Sequence, residues 1–264
     1  MDYTFKNPGR CRTEKPNQAR FRMHAHDLYE IYCFLSGDAD YYVEGNPYRL
    51  QPGDIMLMRK SESHVLMLKS EAPYERIVMN FDLPFLEGLD PDHYFMRIFD
   101  DRPLGQYNHY SAALFPDNHW VYYLEKMCEF QEPHKQLAFL MPLLAELSEC
   151  FETVKEASRQ QDPDSITSVI RYINQYLTAN LSLSLLSERF YLSKAHLNRI
   201  FKQSTGSTVW NYIVIKRLLL AREMLLSGQT PTEVYGKCGF QDYTTFFRAY
   251  KKHFGTSPKN DQSQ

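Results

Sequence analysis

The last hundred residues of this 264-residue chain carry one pattern twice. Ser193-Lys194-Ala195-His196-Leu197-Asn198-Arg199-Ile200-Phe201-Lys202 is closed by Gly206, and Asp242-Tyr243-Thr244-Thr245-Phe246-Phe247-Arg248-Ala249-Tyr250-Lys251 is closed by Gly255. The offset is a constant 49 residues: Leu197 faces Phe246, Arg199 faces Arg248, Phe201 faces Tyr250, Lys202 faces Lys251 and Gly206 faces Gly255. Each copy starts on a helix-capping side chain and places apolar residues three and four apart. Each ends on the glycine that a left-handed helix terminus favours. Such a repeat is one supersecondary unit used twice, so the C-terminal region is constrained to two similar helical modules.

Charge separates the same region from the rest. Residues 163–264 hold 13 Lys and Arg against 6 Asp and Glu, whereas residues 1–162 hold 17 against 26. A basic C-terminal part behind an acidic N-terminal part points to a polyanion as the partner of the former only. The five cysteines (Cys11, Cys33, Cys128, Cys150, Cys238) are scattered, with no CxxC pair, so neither a zinc ribbon nor a disulfide framework is indicated. The first 25 residues are charged and lack the apolar run of a signal peptide, and no stretch approaches the roughly 20 apolar residues of a membrane span. The expectation is a cytoplasmic protein with no membrane partner.

Residues from about 20 to 82 read as short strands. Tyr, Val, Ile and Phe are dense, and Ser36-Gly37-Asp38, Glu44-Gly45-Asn46-Pro47 and Gln51-Pro52-Gly53-Asp54 interrupt them at hairpin spacing. A small antiparallel barrel or sandwich is expected. Pro84, Pro91, Pro103 and Pro116 predict loops and short helices over 83–117. From Asn118 the period turns helical: Trp120, Val121, Leu124, Met127 and Cys128 share one face, and a helix opening on Pro133 carries Leu137, Leu140, Met141, Leu144 and Leu147. Pro142 is expected to bend that helix. Gln160-Gln161-Asp162-Pro163 reads as a linker. Beyond it lie a helix striped by Ile166, Val169, Ile170, Ile173 and Leu177, a short helix near Leu183–Phe190, and the first copy of the repeat. A long helix follows near Val209–Leu226, carrying Trp210, Ile213, Val214, Leu218, Ala221 and Leu225. Thr230-Pro231-Thr232-Glu233 is a capping box, and the second copy closes the series.

A helix that reads DNA needs an apolar inner face and an outer face of hydrogen-bond donors. In the first copy Lys194, Ala195, Asn198, Arg199 and Lys202 lie opposite Leu197, Ile200 and Phe201. In the second, Tyr243, Thr244, Phe247, Arg248 and Lys251 lie opposite Phe246, Ala249, Tyr250 and Phe254. Arg suits the guanine edge and Asn the adenine edge, while an outward Phe suits a thymine methyl. For one such helix an ordinary solvated basic face explains the pattern equally well; two with matched caps, arginines and glycines favour reading heads.

These residues resemble the AraC/XylS family of bacterial transcription regulators. The resemblance covers about 165–258. It runs through Leu192-Ser193, Leu197, Arg199, Phe201-Lys202 and Gly206, then through Gly239-Phe240, Asp242, Phe246, Arg248, Tyr250-Lys251-Lys252, Gly255 and Ser257-Pro258. It implies two helix-turn-helix units joined by a long helix, with Ala195, Asn198 and Arg199 reading one groove and Tyr243, Thr244, Phe247 and Arg248 the next. One departure is notable. The family sets a small residue where the paired helices cross; Ser187 meets this in the first unit, but Tyr235, followed by Gly236, stands there in the second, which predicts looser or different packing.

In the N-terminal part, His24, His26, Glu30 and Gly37 fit H-x-H-x3-E-x6-G, the first cupin motif, with Pro52-Gly53-Asp54 and His64 where the second would fall. Three histidines and a glutamate suit a divalent metal, so a metal-dependent cupin enzyme fused to a DNA-binding module is the alternative. Sensor domains of the family it resembles are themselves cupin-like and keep such residues as polar core or effector-pocket groups, and that reading takes precedence, with no metal and no cofactor expected. The expected pocket residues are His24, His26, Glu30, Tyr41 and His64. The nearby tyrosines suit a sugar or related small molecule.

The expected architecture is therefore α+β in two domains. Residues 1–117 form a cupin-like antiparallel effector-sensing barrel, 118–162 a helical dimerisation and linker segment, and 163–264 an all-α double helix-turn-helix domain. The expected activity is sequence-specific transcriptional regulation, without catalysis, by a homodimer that binds double-stranded promoter DNA and answers to a small-molecule effector. A purely architectural DNA binder, its barrel serving only to dimerise, is the third reading. The helices of 118–158 either dimerise or pack on their own barrel.

Overall fold

In a computed structural model the described residues are 4–262, apart from 85, 87–89, 116, 118 and 159–164. The chain divides into two compact units, Met1–Arg22 with Leu28–Asp162 and Met23–Asp27 with Pro163–Gln264.

The first unit contains β1 (Thr4–Thr13), β2 (Tyr29–Ser36), β3 (Ala39–Val43), β4 (Asn46–Arg49), β5 (Ile55–Met58), β6 (His64–Leu68), β7 (Tyr74–Asp82), α1 (Arg97–Asp100), β8 (His109–Tyr110), α2 (His119–Glu129), α3 (Pro133–Glu149) and α4 (Phe151–Ser158). Its strands form two sheets, β1-β7-β2-β5-β8 and β4-β3-β6, with every pairing antiparallel. The three turn signals fall between β2 and β3, β3 and β4, and β4 and β5. At the middle one, Glu44 and Gly45 both take positive φ, as a tight hairpin turn requires. Pro47 lies on the edge strand β4, where a missing N–H costs least.

The central strands are buried on both faces, so they read as apolar runs. Their period of two sorts side chains into two cores. Ile31, Cys33, Ile55, Leu57, Ile77, Met79 and Phe81 join Trp120, Leu124, Met127, Leu140, Leu143, Leu144, Leu147 and Phe151. Tyr32, Phe34, Tyr41, Met56, Met58, Leu66 and Tyr74 form the other. The apolar stripes of α2 and α3 thus cover the chain's own sheet. α3 continues through Pro142.

Two strands escaped the sequence reading. β1 contains Pro8 and Gly9 and a register shift between Lys6 and Gly9, all of which dilute a strand pattern. β8 is two residues long and joins through Ile55↔Tyr110. Sequence inspection also passed over the ion pair beneath it. The Arg102 guanidinium grips both Glu62 oxygens (2.9 and 2.7 Å), and Gly105 N–H, Asn108 Nδ2 and Arg59 N–H also donate to that carboxylate at 2.7, 2.9 and 3.1 Å. Both side chains are inaccessible to solvent. Burial works to raise the Glu62 carboxyl, but Arg102 overcomes it and holds the group below its usual range.

The second unit contains α5 (Ser165–Gln175), α6 (Leu183–Arg189), α7 (Lys194–Thr205), α8 (Val209–Leu226), α9 (Pro231–Lys237), α10 (Tyr243–Phe254) and α11 (Pro258–Gln262). α7 and α10 keep the 49-residue offset at both ends. Ser193 Oγ accepts from His196 N–H at 3.2 Å and Asp242 Oδ1 from Thr245 N–H at 2.8 Å. Gly206 and Gly255 close them at φ 69° and 74°. The capping box forms, with Thr230 N–H donating to Glu233 Oε2 at 2.9 Å. Ile213, Leu218, Ala221 and Leu225 of α8 are buried, whereas Trp210 is 56% exposed.

The supporting helices α6 and α9 follow a 48-residue offset instead, so the turn before α10 (238–242) is one residue longer than the turn before α7 (190–193). Its left-handed position is Gly239, φ 87°; in the first unit Tyr191 holds it, φ 53°. The expected loosening at Tyr235 is not found. The Tyr235 ring stands edge-on to Tyr243 at 5.8 Å, and Val234, Cys238, Phe240, Phe246 and Tyr250 make a closed core with α8. Gly236 faces open space. The segment Met23–Asp27 also belongs to this unit, where Arg222 lies 3.2 Å from Asp27 Oδ2 and 3.1 Å from Asp261 Oδ2. The expected linker at Gln160–Pro163 lies outside the described residues.

Candidate nucleic-acid interface and effector pocket

Capping and amphipathicity together decide which side of each reading helix is free. On α7, Leu197 and Phe201 are fully buried, leaving Lys194, Ala195, His196, Arg199, Lys202 and Gln203 exposed. Arg199 lies at the centre of this face, donating to His196 Nδ1 at 3.2 Å and Gln203 Oε1 at 3.1 Å. Neither partner is a carboxylate, and the guanidinium keeps further N–H donors for an incoming edge. On α10, Phe246 and Tyr250 are buried, while Tyr243, Thr244, Thr245, Arg248, Lys251 and Lys252 are exposed. Backbone N–H groups hold the capping Asp242 carboxyl below its usual range.

Two expected outward residues are placed differently. Asn198 is half-buried, and its Oδ1 accepts from Val209 N–H at 3.4 Å, at the first turn of α8. Phe247, its counterpart at 49 residues, is also half-buried, its ring 6.2 Å from that of Tyr243. Both sit on the helix flank, Asn198 against the start of α8 and Phe247 against Tyr243 of its own helix. Lys252 is exposed beside Lys251 as expected; conversely, His196, Gln203 and Thr245 share the exposed faces but were not singled out. The signal was there: 196 and 203 stand three before and four after Arg199, which is one helical face.

The expected pocket set divides between the units. His24 and His26 lie on the Met23–Asp27 segment of the second unit, their rings 6.1 Å apart. Glu30, Tyr41 and His64 lie in the first unit, on β2, β3 and β6, and all three are buried. Glu30 accepts from Asn80 Nδ2 at 2.8 Å and from Tyr41 OH at 3.4 Å, and His64 Nε2 stands 3.8 Å away. The Tyr41 ring stacks on His64, with centroids 6.0 Å apart. Since His64 Nδ1 meets the Glu62 carbonyl at 2.8 Å, that nitrogen is the donor. Tyr32 and Tyr74 join hydroxyls at 2.7 Å on the same inner wall. Burial raises the Tyr41 phenol far above its ordinary value, with the Glu30 charge adding to it, so it remains a hydrogen-bond donor. Asn80, Tyr32 and Tyr74 are partners that the sequence pattern did not single out.

Comparison with known proteins agrees with both halves. A family model described as an AraC-like ligand binding domain matches residues 7–99, and one described as a helix-turn-helix domain matches residues 186–264. The HTH-type transcriptional activator RhaS of Escherichia fergusonii is 25% identical over 256 residues, which is 92% of this chain and 87% of that protein. RhaS of Escherichia coli O6:H1 is 22% identical over 250 residues, covering 92% and 88%. Among solved structures, ToxT from Vibrio cholerae O395 aligns over 99% of this chain and 97% of its own at 14% identity, with a TM-score of 0.41.

A ligand-binding domain ahead of paired helix-turn-helix units defines a DNA-binding transcriptional regulator. The chain belongs to the AraC/XylS family. Among the described residues no helix is long and apolar enough to cross a membrane.

Proposed function

We propose that this regulator binds promoter DNA sequence-specifically as a cytoplasmic homodimer and that a small polar organic molecule, such as a sugar, controls it from the N-terminal unit. The observation that carries this reading is the matched pair of reading helices. α7 and α10 have the same length, the same capping and the same central arginine, with lysines at equivalent exposed positions. Arg199 and Arg248 take base edges, supported by Ala195 and His196 on α7 and by Tyr243, Thr244 and Phe247 on α10. Lys194, Lys202 and Lys251 take phosphates. Asn198 acts from the flank, where it also holds the start of α8. Glu30, Tyr41 and His64 supply hydrogen bonds to the effector, with aromatic rings as the pocket wall. The kinship with RhaS activators supports activation as the outcome of DNA binding.

Because the stripes of α2 and α3 are spent on their own sheet, a partner copy meets their outer side. There Tyr122 is 52% exposed, and the Phe139 ring lies against both Tyr122 and Phe130. The test is selection of bound duplexes from a random library by the purified chain, with and without candidate sugars, alongside sedimentation. Enrichment of a motif with two base blocks is expected; recovery of DNA without sequence enrichment sinks the proposal.

A further inference from the structure

Arg217, in the middle of α8, is 4% exposed and, among the described residues, has no carboxylate as a hydrogen-bond partner. Its guanidinium binds three backbone carbonyls instead. Nε donates to Leu177 O at 2.9 Å and Nη2 to Ala179 O at 2.7 Å, both just past the C-terminal end of α5 in the first helix-turn-helix module. Nη1 donates to Gly239 O at 2.8 Å, in the turn that precedes α10 in the second. A cation is favoured at a helix C-terminus, where carbonyls lack partners. The Gly239 turn is the one with the extra residue, and it closes tightly on the guanidinium: a Cβ at Gly239 would stand 2.9 Å from Arg217 Cζ and 2.9 Å from Thr178 O.

We propose that Arg217 is a positioning residue that sets the separation and rotation of the two reading helices, and hence the spacing between DNA segments that the protein accepts. A planar fork satisfying carbonyls from both modules resists their sliding or turning against each other along α8, which a single point charge would not do. This inference rests on α7 and α10 being the reading helices.

The test uses the full chain and the duplex it selects from a random library. One base pair is inserted between the two enriched base blocks, which rotates one block by about 35° relative to the other. Wild type is expected to lose at least about tenfold in affinity for the expanded duplex. Arg217→Met is expected to bind the selected duplex more weakly while its ratio of affinities, selected over expanded, falls towards one. A merely structural role would weaken both duplexes alike and leave the ratio unchanged, and that result overturns the proposal, as does a wild type indifferent to the insertion. Should Arg217→Met fail to fold, Arg217→Lys carries the same comparison, since its ammonium keeps the charge but not the three-way fork. Failure of wild type to enrich any sequence refutes the DNA-reading assignment itself; an unchanged ratio in a folded variant refutes only the role of Arg217.

Discussion

Arg199 donates to the Nδ1 of His196, one turn earlier on the exposed face of α7, at 3.2 Å. The guanidinium is thereby held on the exposed face by a partner that is not a carboxylate. Arg199→Ala is expected to cost about 1–3 kcal/mol of specific binding and to relax preference at one base position. A binding titration against the selected duplex and its single-base variants reads both. Unchanged affinity together with unchanged preference sinks the assignment of α7 as a reading helix.

Lys202 is exposed further along the same helix, past the residues closest to the capped end. Lys202→Ala should weaken every duplex by a similar factor and lower the slope of log K against log salt by about 0.9. A sequence-dependent loss would instead make it a base contact.

Tyr235 and Gly236 leave the second module fully packed. Arg248→Ala is therefore expected to match Arg199→Ala, again about 1–3 kcal/mol. An effect below a few tenths would mean that a single helix reads bases. Gly236, whose added methyl meets nothing within 4 Å, should accept alanine with a gain of about 0.5–1 kcal/mol in stability and no change in DNA affinity. Chemical denaturation of the two proteins decides it, and a destabilised Gly236→Ala would show that the helix needs the glycine.

Arg102→Met leaves the Glu62 carboxylate buried without its cation, and a loss of about 3–5 kcal/mol is expected in urea titration. The pair also sets an acid limit. The folded Glu62 carboxyl titrates below its usual value, so its stabilisation is complete above the unfolded value near pH ~4.3 and is lost as pH falls through the lower folded one. Asp54, also held low despite burial by His109 and two backbone N–H groups, adds in the same direction. Stability measured from neutral pH downwards should fall in that acid range. An acid limb equally steep in Arg102→Met would assign it to other groups.

Much of the C-terminal unit was legible because its signals are local. Ser193, Asp242, Thr230 and the closing glycines act within four residues of themselves, and the bounds of α8 follow from continuous apolar periodicity. The two sheets were legible where turns punctuate them, from β2 to β5. Legibility failed at β1 and β8, which owe their strand conformation to partners about 70 and 55 residues away in the chain. It also failed for Asn198 and Phe247. Helical spacing places a residue on a flank without saying whether another side chain or the next helix will cover it.

What the amino-acid sequence determined by itself is the doubled module, its 49-residue offset, the basic face of each copy and, among the buried polar residues of the first unit, Glu30, Tyr41 and His64. Each is a property of short segments, or of side-chain chemistry that no packing alters. The tertiary structure decided which way the apolar stripes of α2 and α3 face, that Met23–Asp27 joins the C-terminal unit, and that the supporting helices keep a 48-residue offset. It also decided that Arg217 spends its charge on three carbonyls from two modules. These depend on which distant surfaces close over one another, and buried polar groups must then find partners wherever closure leaves them.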